Sequence, residues 1–302
     1  MDKLYLMTVF VAVAEEESFA AAARRLDMSP PAVTRAIAAL EEQLGVKLLN
    51  RTTRYVRSTD AGLRYLDDAR RIIAEVAAAD EAAQGINAAP RGHLAVTAPV
   101  LFGNMFVLPG VVHFLQTFPD MEVSASFLDR VVNLLEEGFD VGIRIGELPD
   151  SSMKARQVGF VRRVICASPE YLSIHGQPLR PDQLIGHNII AAGAVSPSME
   201  WKFGLGSQAT SVRIKPRLTV SNNDAAIGAA LEGFGITRLL SYQIRPHVIS
   251  GKLRVILPEF EPAPIPVHVV HREGRYASAK VRTFVDLMTE KLRQDLGRLD
   301  IG

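Results

Sequence analysis

The first 58 residues alternate short apolar stretches with polar breaks. Leu6, Phe10, Val13 and Ala14 recur at helical spacing, which predicts a helix over residues 3–14 with one buried stripe. Glu15-Glu16-Glu17 ends that apolar face. Ser18 stands where an N-cap belongs, ahead of an alanine-rich helix over Phe19–Leu26. Asp27-Met28 reads as a tight turn. Ser29 reads as a second N-cap, with Pro30 at the first helical position, where the missing N–H costs nothing. This third helix runs from Pro30 to about Leu44 and stops at Gly45. Val33, Ile37, Leu40 and Leu44 form its apolar face. From Val46 to Arg57, β-formers flank a polar tip, which predicts a small hairpin.

Two short helices joined by a tight turn are a helix-turn-helix, whose second helix offers its N-terminal residues to the DNA major groove. That end carries Ser29, Pro30, Pro31, Thr34 and Arg35, and Ser18 opens the helix before it. Thr34 and Arg35 have side chains that hydrogen-bond to phosphates or base edges, and arginine is the common partner of guanine. In the hairpin, Arg51, Thr53 and Arg54 sit near the tip, where a wing tracks phosphates or a minor groove. Alone, the hairpin reads equally as an exposed polar loop; directly after a helix-turn-helix it reads as a wing.

Charge supports this placement only locally. The 302-residue chain has a net charge of +1, so it is no basic polymer. Between Arg24 and Arg57, however, Arg24, Arg25, Arg35, Lys47, Arg51, Arg54 and Arg57 face only Asp27, Glu41 and Glu42. Binding depends on that local field.

Residues 59–87 contain no proline, and Leu66, Ala69, Ile73, Val76, Asp80 and Ala83 fall three and four apart. The pattern fits a helix pairing with a second copy, or one packed on its own chain. Gly85 to Gly92, with Pro90 between, reads as a hinge. Beyond it the period changes. Strands are expected at His93–Thr97, Met121–Phe127, Asp140–Ile145, Arg163–Ser168, Asn188–Ala192, Arg213–Val220, Gly235–Leu239 and Val267–His271. Helices are expected at Leu101–Phe118, Val131–Glu137, Pro181–Ile185, Asp224–Glu232, Ser241–Ile249 and Ala279–Leu296. Strand and helix in alternation predict parallel sheets covered by helices.

Other chemistry is sparse. A length of 302 residues allows about two domains, and a hydrophobic share of 48% fits full globular cores. Cys166 is the single cysteine, which excludes an internal disulfide and favours a core role over a nucleophile. His268 and His271 are three apart on an expected strand and face opposite sides. Gly204-x-Gly206 and Gly233-x-Gly235 lack the rest of a nucleotide fingerprint. Trp201 reads as packing. No catalytic set, metal cluster or cofactor motif emerges, so no enzyme is expected. The apolar run Leu4–Ala14 with Ala12-Val13-Ala14 has the outline of a signal peptide. It is too short to span a membrane, and cleavage would remove a helix the next domain needs.

Phe10-x-x-Val-Ala-x-x-x-Ser18-Phe19, Ser29-Pro-Pro-Ala-Val-Thr-Arg35-x-Ile37-x-x-Leu40-Glu41, Leu44-Gly45-x-x-Leu48-Leu49-x-Arg51 and Thr59-x-x-Gly62 together resemble the LysR-type transcriptional regulators. Pro30 departs from a position where the family often has glutamine, and Leu49 from a common phenylalanine. Farther on, Glu137-Gly138-x-Asp140-Val-Gly-Ile-Arg144, Ala167-Ser-Pro-Glu-Tyr171-Leu, Gly233-x-Gly235-Ile and Gly251-x-Leu253 are similar to that family's effector domain.

The resemblance implies an α+β multidomain chain. A winged helix-turn-helix would occupy 1–58, a linker helix and hinge 59–89, and an effector domain 90–302. The last would resemble a type II periplasmic binding protein with two α/β, Rossmann-like subdomains, 90–161 with 267–302 and 162–266. The chain would cross over near Phe160 and return near Pro266. Strand ends then nominate Thr97, Ala98, Pro99, Phe102, Asp129, Arg144, Gly193, Ser221, Asn222 and Asp224 for an effector cleft. Arg144 could hold a carboxylate, or pair with Asp129 or Asp224. Asn222 and Asp224 equally suit helix capping. The implied partners are double-stranded DNA, a small-molecule effector, RNA polymerase and further copies of the chain, as a dimer through the linker helix and a tetramer by analogy. The implied setting is cytoplasmic, with no membrane. A periplasmic solute-binding protein would explain the C-terminal half and leave residues 18–88 without a purpose. A cytoplasmic α/β enzyme would lack a catalytic constellation.

Overall fold

The computed structural model describes residues 2–51, 56–84, 89–148, 153–193, 199–204, 209–271 and 278–298. It has two compact units, the first Met1–Ala88 with Arg275–Ala279 and the second Ala89–Gly274 with Lys280–Gly302.

The N-terminal unit begins with α1 (Lys3–Glu16), α2 (Phe19–Arg25) and α3 (Pro30–Leu44). Ser18 Oγ accepts from Ala21 N–H at 3.2 Å and so caps α2. The turn between α2 and α3 places Asp27 at φ 52, a left-handed conformation that aspartate tolerates. Gly45, at φ 66, closes α3 in the same region. Strands β1 (Leu49–Arg51) and β2 (Val56–Ser58) pair antiparallel, with Leu49 opposite Ser58. Leu6, Phe10, Val13, Val33, Ile37 and Leu40 form the core, so the helical stripes read from the sequence are the buried ones.

Helix α4 (Asp60–Gln84) carries the expected seam, but two of its positions are used at home. Leu66 and Ala69 are buried against this unit's own core, and Tyr65 meets Phe10 at 5.6 Å between ring centroids. Val76 and Asp80 remain exposed, while the side chain of Ala83 lies outside the described residues.

The C-terminal unit holds two five-stranded sheets. The first contains β3 (Gly92–Ala98), β4 (Met121–Phe127), β5 (Val141–Ile145), β6 (Lys154–Val161) and β14 (Ile265–His271), in the order β4-β3-β5-β14-β6. Strand β3 lies parallel to β4 and β5, and β14 is antiparallel to β5 and β6, so the sheet is mixed rather than purely parallel. The second contains β7 (Arg163–Ala167), β8 (Ile189–Ala192), β11 (Leu218–Val220), β12 (Ile236–Leu240) and β13 (Arg254–Ile256), in the order β11-β8-β12-β7-β13. Strands β9 (Met199–Phe203) and β10 (Thr210–Ile214) form a separate hairpin. The chain crosses between sheets at Arg162. It returns between β13 and β14, and Arg162 pairs there with Glu261 at 3.2 Å.

Helices cover the sheets. α5 (Val100–Phe102), a π turn (Gly103–Val107) and α6 (Leu108–Thr117) run on from one another. This stretch is long and apolar enough by composition to cross a membrane, yet it packs Phe114 edge-on to Phe284 of α10 (Ala279–Gly297). The remaining helices are α7 (Pro169–His175), α8 (Asn223–Leu231) and α9 (Ser241–Ile249).

Two expected elements differ. Val131–Glu137 is a turn rather than a helix. Asn133 Oδ1 accepts from Leu135 N–H, and the Glu137 carboxylate accepts from Asn133 N–H, so side chains take over backbone partners that a helix needs. The single strand expected over Arg213–Val220 is two, β10 and β11, which pair with different strands. Pro216 lies between them and has no N–H to give to a continuous ladder. Strands β6, β9 and β13 and helix α7 had no expected counterpart.

Candidate DNA interface and effector cleft

The outward face of α3 presents Pro30, Pro31, Thr34 and Arg35 to solvent, while Val33, Ala36, Ile37 and Leu40 are buried. Ser29 corrects the expectation of a side-chain cap. It stands at the N-cap position, but its hydroxyl makes no capping bond, and its backbone carbonyl takes Ala32 N–H and Val33 N–H. That leaves an exposed hydroxyl beside Thr34 and Arg35. Ser18 is half-buried and engaged in capping α2, with only its O–H free to donate outward. Arg51 is in β1 with its side chain outside the described residues, and Thr53 and Arg54 lie outside them altogether. The wing also presents exposed Arg57, which sequence reasoning had counted only as charge.

Internal pairing narrows the basic surface. Glu15 accepts from Arg25 at 2.7 Å and from Arg70 at 2.9 Å, joining α2 and α4 to α1. Burial raises the Glu15 carboxyl, but the two arginines outweigh it and hold the group below the usual carboxylate range. Lys47 pairs with Glu41 at 2.6 Å. Arg24, Arg35 and Arg57 are the exposed cations left in this stretch among the described residues.

Glu41 is the residue whose role the sequence hid. Only 4% of it is exposed, and its Oε1 accepts from Leu48 N–H at 2.9 Å and Leu49 N–H at 3.2 Å. The carboxylate therefore ties the recognition helix to the start of the wing. Burial pushes its pKa up, yet bonds from Lys47 and the two backbone amides bring it below the usual range. A lowered folded value means this stabilisation is complete above the unfolded carboxylate pKa and is lost as pH falls through the folded one. Glu41→Ala leaves two buried amides without acceptors and should cost about 2–4 kcal/mol, read as a lower denaturation midpoint of the helical N-terminal unit. The loss relative to the native chain should shrink in acid; an equal deficit at pH 3 and pH 7 would refute this role.

In the C-terminal unit, the carboxyl ends of β3 and β11 each feed a helix. Thr97 is fully buried, and among the described residues its hydroxyl has no hydrogen-bond partner. Ala98 is buried and Pro99 precedes α5. Asp129 is exposed, and its Oδ1 accepts from Val100 N–H at 3.0 Å, supplying the cap that Pro99 cannot. Phe102 is fully buried, with its ring 4.9 Å from Phe106 and 5.3 Å from Tyr242. Gly193 is exposed at φ 106 and donates to the Val220 carbonyl. Ser221, Asn222 and Asp224 are exposed, and Asn222 Oδ1 caps α8 through Ala225 N–H at 2.9 Å.

Arg144 pairs with neither Asp129 nor Asp224. Its guanidinium donates to the Val132 carbonyl at 2.5 Å. Burial lowers its pKa, and Glu137 is the acid that opposes this. Glu137 itself is clamped by Arg130. Because residues 131–133 are not helical, the Val132 carbonyl is left to accept from Arg144. Cys166 is buried, and burial pushes its thiol up to about 12, which removes it as a nucleophile.

A winged helix-turn-helix followed by a long helix and a two-sheet α/β unit defines a one-component transcription regulator, with DNA reader and ligand sensor on one chain. The family profile "Bacterial regulatory helix-turn-helix protein, lysR family" matches residues 4–63, and the profile "LysR substrate binding domain" matches residues 87–293. The chain belongs to the LysR family of transcription regulators. It is 33% identical to the regulator CrgA of Neisseria meningitidis serogroup B (strain MC58) over 291 residues, covering 96% of this chain and 97% of that one. It is 30% identical to the activator TtdR of Escherichia coli K12 over 298 residues, covering 98% and 96%. The solved structure of Neisseria meningitidis CrgA superposes with a TM-score of 0.61 at 33% identity, covering 95% of this chain and 98% of that one. The full-length structure of the Vibrio cholerae virulence activator AphB gives 0.59 at 27% identity, covering 96% and 99%. The solute-binding alternative is not favoured, because the matches span the DNA-reading part as well. Family membership carries DNA binding, an effector-binding domain and oligomer formation.

Proposed function

We propose that this protein reads a two-fold symmetric DNA site from the cytoplasm and changes its output when a small molecule enters the C-terminal unit. The observation that carries the reading is the exposed Ser29, Thr34 and Arg35 cluster at the start of a helix whose opposite face is fully buried. Residues 1–58 act as the reader, 59–89 as pairing helix and hinge, and 90–302 as the sensor. Thr34 and Arg35 contact base edges or phosphates. Ser18, Ser29, Pro30 and Pro31 lie against the backbone, and Arg51, Thr53 and Arg54 of the wing follow the phosphates.

Effector binding draws on Thr97, Ala98, Pro99, Phe102, Asp129, Gly193, Ser221, Asn222 and Asp224, with Arg144 acting through the 131–137 turn. The buried, unpartnered Thr97 hydroxyl supports this, because an orphan polar atom is costly unless something pairs with it. Closure around the ligand shifts the arrangement of readers, and so DNA bend or RNA polymerase contact, by as much as the ligand prefers one arrangement. Exposed Leu63 and Val76 on α4 support dimer pairing. Exposed Met105, Leu108 and Val112, at helical spacing on the π turn and α6, support a second self-contact and hence a tetramer.

Selection of bound duplexes from a random library tests the reading. It should enrich half-sites of inverted repeat about one helical turn, or a multiple of it, apart. Enrichment of single, unpaired motifs would overturn the dimeric reader, and no enrichment would overturn sequence reading itself.

A further inference from the structure

Strands β7 and β12 run antiparallel with Arg238 opposite Ile165 and Leu240 opposite Arg163. Residues directly opposite share a face, so Arg163 and Arg238 are diagonal neighbours on one side of the second sheet. That side is otherwise apolar, built from Ile165, Trp201, Phe203 and Leu257. Arg238 lies over the Trp201 ring at 4.8 Å, a stack that fixes its plane. Lys202, exposed on β9, borders the same small cavity of about 10 Å³ with Arg163 and Arg238. That is room for one oxygen-sized atom, with the rest of any guest outside.

The charge here is not balanced. Among the described residues Glu261 is the only acid on the cavity wall, and Arg162 already holds both its oxygens at 3.2 and 3.3 Å. Among the described residues no carboxylate pairs with Arg163 or Arg238. Burial lowers the Arg163 guanidinium, although part of the residue faces solvent, and burial with the charge of Arg163 lowers Arg238 to about 10. An arginine guanidinium keeps its proton in folded proteins, so both are charged at neutral pH. Packing against Trp201 accounts for one arginine, not for a second and a lysine beside it.

We propose that Arg163, Arg238 and Lys202 form an oxyanion site that takes a phosphate-type group, seated with one oxygen between the guanidinium forks. Planar forks present parallel N–H donors that suit tetrahedral or planar oxyanions better than a spherical halide. None of the residues nominated for the effector cleft borders this cavity, so the site is separate from that reading and either can fail alone.

Trp201 is the only tryptophan of the chain and lies against Arg238, so its emission is a local probe of this face. Titration of the full chain with inorganic phosphate should change that emission saturably in the millimolar range or below, sulfate should do the same, and chloride at matched ionic strength should not. Arg163→Gln, which leaves the stack in place, should weaken the response at least tenfold, and exposed Lys202→Gln should weaken it severalfold without risk to the fold. No saturable response in the native chain overturns the proposal. So does a chloride response equal to that of phosphate, or an unchanged phosphate affinity in both variants.

Discussion

Gly62→Ala is expected to unseat the junction between wing and linker helix at a cost of about 3 kcal/mol or more, at or beyond the upper end for overpacking. A Cβ at Gly62 would stand 2.0 Å from the Leu48 carbonyl oxygen and 3.0 Å from its carbon. Both are backbone atoms, so no side-chain rotation relieves the clash. The same place is locked from other directions. Thr59 N–H donates to Leu48 O, Thr59 Oγ1 donates to Lys47 O at 2.8 Å, and Gly62 N–H donates to Thr59 Oγ1 at 3.0 Å. The spacing Thr59-x-x-Gly62 is thus a helix cap pressed against the strand that starts the wing. Gly45 gives the comparison. It sits at φ 66 with open space around it, so Gly45→Ala meets only the left-handed penalty of about 1–2 kcal/mol. Urea unfolding followed by far-ultraviolet circular dichroism measures both. Trp201 emission should report an undisturbed C-terminal unit in either variant. A Gly62→Ala loss no larger than that of Gly45→Ala would refute the clash.

The N-terminal unit was legible because its signals are local. Caps, a proline at a helix start, a glycine at a helix end and one buried stripe per helix all act within a few residues, and helices α1 to α3 follow them closely. What the sequence could not supply was the partner of each polar side chain. Glu41 looked like one acid in a solvated run, since nothing local says that Leu48 and Leu49 return their amides to it. Ser29 looked like a cap because serine usually is one; here the backbone carbonyl suffices and the hydroxyl is left outside. Arg144 shows the same limit over a longer range. Its acceptor exists only because 131–137 fails to become a helix, and that failure depends on Asn133 and Glu137 competing for the backbone. In the C-terminal unit β6 and β13, two of the strands without an expected counterpart, pair with strands remote in sequence, β14 and β7, so periodicity alone had little to hold. The seam of α4 was real as a pattern, yet pattern cannot say which copy fills it. Leu66 and Ala69 are buried within the same chain, while Val76 and Asp80 stay exposed.

Arg35→Ala is expected to weaken binding to the specific site by about 5- to 150-fold while leaving the fold intact, the range set by the ~1–3 kcal/mol of a good arginine to base pairing. The residue is exposed on the first turns of α3, and among the described residues no acid engages it, so its removal breaks nothing inside the protein. In this it differs from Arg25 and Lys47, whose loss would release Glu15 or Glu41 and change DNA binding through the fold. The neighbours sharpen the argument. Pro30 and Pro31 have no side-chain donors, so discrimination near the helix start falls to Thr34 and Arg35. A mobility-shift assay over a series of salt concentrations, on the selected site and on a scrambled duplex compared at matched salt, separates the possible roles. If Arg35 reads a base, affinity falls on the specific site and changes little on the scrambled one. Arg35→Lys then recovers little, because an ammonium has no planar fork. If Arg35 only meets a phosphate, both duplexes weaken together, Arg35→Lys recovers most of the loss, and the salt slope falls by about one contact. Unchanged affinity on both duplexes would remove Arg35 from the interface and move the reading surface away from the start of α3.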